Sequence, residues 1–226
     1  MGRAPRRVSS FGHLSHFRPE HAPEGSTDRC TDGCRVEHTC PYSAIRQYVQ
    51  TDRTRWPAAV IAHDHTAEAH LEAIRTGPYG RCVWRADNDV VDHQVVAIEY
   101  DDHVTATFTM TGFTQRQGRE VRVHGTEGEA RFDEHAGVIE LRTFAGHDVE
   151  ILRLGPEPGE HGGGDHRVMR AWLEAIRRRD PGLILTDVQA SLATHAIAFA
   201  AEESRRSGRT VEMRDFWSSR SAGVWP

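Results

Sequence analysis

The 226-residue chain contains no lysine, so all 28 of its basic side chains are arginine. A GC-rich coding sequence accounts for the bias, yet the absence has a chemical consequence: no lysine can serve as Schiff base, phosphate ligand or proton donor. Long apolar runs are also missing. No stretch approaches the ~20 residues of a membrane span. The N-terminal MGRAPRRVSSFGHLSHF has basic residues but not the apolar core of a signal peptide. The expectation is a cytoplasmic protein with no membrane partner. Charge of one sign is lacking too: the formal net charge is -5, with acidic and basic residues interspersed, so no nucleic-acid partner is expected. No G-x-S-x-G elbow, P-loop or H-E-x-x-H occurs. The run HGGGDH follows a Pro/Gly loop and lacks the spacing of a dinucleotide fingerprint.

What is present is the composition of a soluble globular protein, 38% hydrophobic and 27% charged. A chain of this length makes one large domain or two small ones and buries roughly 70% of its unfolded surface without staples. Residues 6–17 (RRVSSFGHLSHF) read as a strand. Residues 18–60 then form a long excursion, and from 18 to 42 it loses all periodicity; a loop of that kind is unusual unless something pins it. YSAIRQYV (42–49) reads as a short helix, and TAEAHLEAIRTG (66–77) as a second, capped by Thr66 and ended by Gly77. From Asp92 the period becomes two. Six segments, 92–100, 104–110, 120–125, 129–133, 137–144 and 148–154, predict an antiparallel meander, with the Gly125–Gly128 turn its strongest hairpin signal.

A glycine-rich loop (155–164) leads into DHRVMRAWLEAIRRRD. Here Asp165 is the expected N-cap, and Val168, Trp172, Ala175 and Ile176 form one apolar stripe. A further helix from about Asp187 to Ser207 aligns Val188, Leu192, His195, Ala196 and Phe199, with His195 read as a satisfied core histidine. RTVEM (209–213) is expected to return as an edge strand, and residues 214–226 as a poorly ordered tail. The predicted fold class is α+β: an open, mainly antiparallel sheet with helices packed on one face.

Three features carry potential chemistry. Cys30, Cys34 and Cys40 are spaced C-x3-C and C-x5-C, close enough to converge on one tetrahedral ion but without the paired C-x2-C of ribbons and fingers. His38 or the distant Cys82 would complete four ligands. Bound zinc, reduced cysteines packed in a folded loop, a redox pair and an iron–sulfur cluster are the alternative uses. In EHGGGDHRVM, Gly162, Gly163 and Gly164 allow close approach of a ligand to the backbone, while His161, Asp165 and His166 offer hydrogen-bonding groups suited to a polyol. The bland alternative is a flexible turn. RADNDVVDHQ (85–94) gathers Asp87, Asp89, Asp92 and His93, either to bind a cation or sugar hydroxyls or as a solvated strand entry.

Taken in order, SSFGHLSHFRPEHAPEG, CTDGCRVEHTCPYSA, GPYGRCVWRADNDVVDHQVV, VHGTEGEARFD, HGGGDHRVMRAWLEAI and SLATHAIAFAAEESRRSG resemble the C-terminal part of the Gfo/Idh/MocA oxidoreductases. The resemblance runs from about Val8 to Met213. It implies a substrate and oligomerisation domain spanning 1–213, ahead of the tail, that forms homo-oligomers through its sheet. In the complete family enzyme this domain works beside a Rossmann domain that binds NAD(P). The family's E-K-P lysine has no counterpart here, so no catalytic residue and no bound cofactor are expected of this chain alone; a Rossmann-domain chain is an expected partner. The resemblance assigns His161, Gly162, Gly163 and Asp165 to contact with a sugar or polyol. The leading expectation is an N-terminally incomplete, NAD(P)-dependent sugar or polyol dehydrogenase, inactive by itself. Its rivals are a stand-alone carbohydrate-binding or scaffold module and a gene fragment without function.

Overall fold

Strand β1 (Pro5–His13) buries Val8, Ser10 and Gly12 and leaves the residues between them more open, the two-residue alternation of a strand with one covered face. It is the second-last strand of a four-stranded antiparallel sheet ordered β3-β2-β1-β8, with β2 at His93–Tyr100, β3 at Thr105–Thr111 and β8 at Val211–Glu212. A computed structural model describes residues 4–115, 117–146, 148–155 and 160–221. Within them the chain divides into two compact units, Met1–Gly112 with Ala200–Pro226, and Phe113–Phe199.

In the first unit β1 pairs with β2 along nearly its whole length, from Pro5 opposite Tyr100 to His13 opposite His93. β8 reaches only Arg7 and Val8. Beyond that point the free edge of β1 is met by helix α4 (Val188–Ser207), whose Ser204 hydroxyl accepts from the Ser10 N–H at 2.9 Å. In the part of α4 that belongs to the first unit, Ala200, Ala201 and Ser204 are buried, so small side chains let the helix sit close. That differs from the expected stripe: Val188 and Phe199 are exposed, and His195 is exposed too, its Nδ1 resting 2.7 Å from the Ser191 carbonyl of its own helix. The segment Pro181–Ser207 is long and apolar enough to cross a membrane by length and composition. The sequence reading had found no such run. Asp187 caps the helix start through the Ala190 N–H at 2.8 Å. The expected edge strand at 209–213 is present as β8, but the tail differs from expectation: Met213–Ser221 is helix α5, with Met213 and Phe216 buried three residues apart on one face. Residues 222–226 lie outside the described residues.

The two short helices form where expected. Helix α1 (Ala44–Tyr48) is capped by Ser43, whose hydroxyl accepts from the Arg46 N–H. Helix α2 (Ala67–Thr76) is capped by Thr66 and closed by Gly77, and it buries His70 and Ile74. Gly80, in the turn that follows, has no room for a side chain, since a Cβ would stand 1.6 Å from the Ile74 carbonyl oxygen.

In the second unit, β4 (Glu120–His124), β5 (Gly128–Asp133), β6 (Val138–Thr143) and β7 (Val149–Arg153) pair in sequence order. All six predicted strands therefore exist, but they do not make one meander. β2 and β3 join the sheet of the first unit and the other four make their own. The expected hairpin is closed by the Gly125 N–H donating to the Gly128 carbonyl at 2.8 Å. The fold class is α+β, as two antiparallel sheets with five α-helices among the described residues.

Candidate functional site

Helix α3 (Gly164–Arg178) opens the second unit's candidate site. His161, Gly162 and Gly163 all have positive φ (52°, 61° and 76°), which turns the chain into the helix two residues earlier than expected. Gly163, not Asp165, is the N-cap. Asp165 falls inside the first turn, where its carboxylate complements the helix dipole and lies 2.9 Å from His161 Nδ1. Arg167 donates to the Gly162 carbonyl at 2.8 Å. The four residues singled out as sugar contacts are thus neighbours, with His161 and Asp165 exposed. The Pro/Gly part of their loop, 156–159, lies outside the described residues.

From Gly163 an open groove of about 690 Å³ runs along α3, lined by His166, Met169, Arg170, Leu173 and Arg177. Hydrogen bonds from Arg177 and Arg178 hold the Glu174 carboxyl on its wall at about 2. Such a lining can bind hydroxyls and anions. The expected apolar stripe remains open: Val168, Trp172 and Ile176 are 66%, 49% and 56% exposed, and only Ala175 is buried.

The acidic group at 85–94 is dispersed by the fold. Asp87 pairs with Arg81 at 2.7 Å and Asp89 with Arg206 at 3.1 Å. Asp92 is buried. Its Oδ2 accepts from the Ser15 and His16 N–H groups at 2.9 and 2.7 Å, and its Oδ1 lies 2.7 Å from His93 Nδ1. Burial alone would raise this carboxyl, but the His16 amide, the His93 ring and the Ser15 and Phe17 amides outweigh it and hold it at about 2. Asp92 therefore pins the chain where it leaves β1. The sequence reading missed this role, because an acidic residue before a strand looks the same whether solvated or buried.

The excursion that follows is a run of hydrogen-bonded turns. Cys40 N–H donates to the Val36 carbonyl at 2.9 Å and Arg35 N–H to the Gly25 carbonyl at 3.1 Å. Its far anchor is a short bridge between Arg29 and Arg81, flanked by Cys30 N–H donating to Gly80 O at 3.2 Å and Cys82 N–H to Asp28 O at 2.8 Å. The Arg29 guanidinium donates to the Ile74 and Gly77 carbonyls at 3.0 and 2.7 Å, a cation at the C-terminal end of α2.

This bridge carries Cys82 to the other three cysteines, and all four line one small chamber of about 10 Å³ with Tyr42 and Trp84. His38 is not in that lining. Cys82 is buried, the other three are half-buried, and all four are free thiols. Burial pushes the Cys30 thiol up; the Ala44 amide, 3.4 Å from its sulfur, pulls the other way, and Cys34, Cys40 and Cys82 add to the rise. Cys40 is raised likewise, by burial first. Among the described residues, no group of three or more His, Cys, Asp or Glu side chains is arranged as it stands to hold a metal ion.

The nicotinamide group does not fit the residues described. Dinucleotide crevices open at the ends of parallel strands, whereas every strand pairing among the described residues is antiparallel, and Gly162 and Gly163 lie within a short 3-10 turn.

Fold and sites together define an α+β domain distinct from a nucleotide-binding unit. The chain belongs to the Gfo/Idh/MocA oxidoreductase family: it matches the model of "Oxidoreductase family, C-terminal alpha/beta domain" over residues 2–213. No curated protein matches it. Among solved structures it is similar to an oxidoreductase from Agrobacterium radiobacter in complex with NAD+, L-tartaric acid and magnesium, at 17% identity and TM-score 0.48 over 58% of this chain and 41% of that one. It is also similar to the aldose-aldose oxidoreductase from Caulobacter crescentus complexed with glycerol, at 12% identity and TM-score 0.49 over 93% and 42%. A third is an NAD binding oxidoreductase from Klebsiella pneumoniae, at 14% identity and TM-score 0.45 over 55% and 39%. The match takes in about two fifths of the length of each of these proteins.

Proposed function

We propose that this chain is the substrate-binding and oligomerisation domain of a NAD(P)-dependent sugar or polyol dehydrogenase, acting in the cytoplasm and inactive without a nicotinamide-binding Rossmann domain. The observation that carries the reading is the match to the family's C-terminal domain over residues 2–213, in a chain without lysine. The His161–Asp165 pair and the groove along α3 supply polar groups for hydroxyls. The cofactor would carry the hydride chemistry and this domain the orientation of substrate.

The test titrates NADH and NADPH into the 226-residue chain by fluorescence and a panel of polyols and aldoses by calorimetry. No nucleotide binding is expected. Polyol binding is expected, weakened by Asp165→Ala while the far-UV spectrum stays unchanged. Saturable micromolar binding of NADH, or the absence of any polyol binding, would refute the assignment.

A further inference from the structure

The chamber lined by Cys30, Cys34, Cys40 and Cys82 has no part in the proposed substrate groove. Three observations bear on it together. Its sulfurs come from two chain segments more than forty residues apart, brought together at the Arg29–Arg81 bridge. At about 10 Å³ it has room for one water-sized or ion-sized body and nothing larger. Trp84, one of its lining residues, keeps a buried indole Nε1–H without a hydrogen-bond partner, and the Ala44 and Tyr42 amides are already turned toward the Cys30 and Cys40 sulfurs. A neutral thiol is a poor acceptor. A metal-bound thiolate is a good one, and donors of this kind are what surround thiolate centres.

We propose that Cys30, Cys34, Cys40 and Cys82 form a tetrathiolate site for one soft divalent cation of the zinc class. Cys82, and not His38, is the fourth ligand. As free thiols the four side chains are not drawn in to coordination, which needs sulfur at about 2.3 Å from zinc; binding closes them by rotation about their Cα–Cβ bonds. In that step four thiols release four protons to solvent and each sulfur donates one lone pair to the cation. No electron is transferred. The resulting charge of two negatives is offset by the Ala44 and Tyr42 amides and by Arg46, which lies close enough to act on Cys40. The ion would fasten the excursion to the turn after α2.

The chain is purified under reducing conditions without chelator and its metal content measured, then stripped and titrated with cobalt. The expected results are about one zinc per chain and the strong visible absorption of tetrahedral cobalt thiolate. Four thiols should resist a thiol reagent until chelator is added, and affinity should fall by up to about ten-thousandfold per pH unit below the thiol range. Cys82→Ser should lose stoichiometric zinc and change the cobalt spectrum, whereas His38→Ala should do neither. Folded wild-type chain that carries no metal and gives no cobalt thiolate spectrum would overturn the proposal, and so would Cys82→Ser that keeps the wild-type spectrum. Should Cys82→Ser fail to fold, the wild-type cobalt spectrum and the His38→Ala comparison still decide it. None of these readouts depends on nucleotide or sugar binding.

Discussion

Replacing Asp92 by asparagine tests how the chain is held where it leaves β1. The carboxylate accepts from the Ser15 and His16 amides through one oxygen and from the His93 ring and, more distantly, the Ser15 hydroxyl through the other, so several donors converge on a buried anion. Because an ionised carboxylate has no proton to give, His93 Nδ1 must be the donor. An asparagine side chain offers one carbonyl oxygen and turns its amide nitrogen, itself a donor, toward whichever partner is left. Hydrogen bonds to a charged group contribute about 1.5–3 kcal/mol each, and an orphaned buried donor costs a further 1–3. Asp92→Asn should therefore destabilise the first unit by about 3 kcal/mol near pH 7.

The pH dependence gives an independent check. The folded carboxyl is depressed to about 2, below the ordinary aspartate value near 3.9. Its stabilising contribution is therefore complete above about pH 5 and is lost as pH falls through the folded value. Nearly two pH units correspond to about 2.5 kcal/mol. Urea unfolding followed by tryptophan fluorescence, run for wild type and variant between pH 2.5 and 7, should show curves that are widest apart at neutral pH and converge in acid. A gap below about 0.5 kcal/mol at pH 7, or one that does not change with pH, would refute the reasoning.

Two further substitutions probe the backbone. Gly80→Ala forces a methyl against the Ile74 carbonyl oxygen, backbone against backbone, and should cost about 3 kcal/mol or more and open the 18–60 segment to limited proteolysis; an unchanged cleavage pattern would show that the turn can move aside. His103→Gly should stabilise by about 1 kcal/mol, read as a higher urea midpoint, because His103 holds φ 62° in the turn between β2 and β3, where Asp-Gly is the favoured pair, and its own exposed ring stands 3.6 Å from the Glu99 carboxylate, too far for a strong contact. A lower midpoint would mean that the contact with Glu99 outweighs the backbone term.

Local order was legible where local chemistry sets it. Thr66 and Gly77 bracket α2 because a hydroxyl and a glycine satisfy the two ends of a helix whatever surrounds them. The alternation from 92 to 154 gave six strands because one face of each must differ from the other. What alternation does not contain is which strand finds which partner. β1 and β2 are separated by about eighty residues, and their pairing, which splits the meander, depends on contacts no window of sequence holds. Sequence separation also hid the fourth cysteine: Cys82 reaches the cluster through the Arg29–Arg81 bridge, and spacing alone left His38 an equal candidate. On α4 the expected stripe is buried at Ala196 but not at Val188, His195 or Phe199, since the small Ala200 and Ser204 that pack closely have little hydrophobic signal. At α3, paired left-handed glycines displaced the cap by two residues, which composition does not encode.

The meeting of Ser204 with the Ser10 amide has a bearing on solubility. β8 is two residues long and leaves most of that side of β1 without a strand. An uncovered row of amides there would offer a template on which a second chain could lay a strand and begin sheet growth. A hydroxyl from a helix occupies one of those amides, and the helix itself bars the approach. At the other end of this sheet the edge strand is the threonine-rich β3.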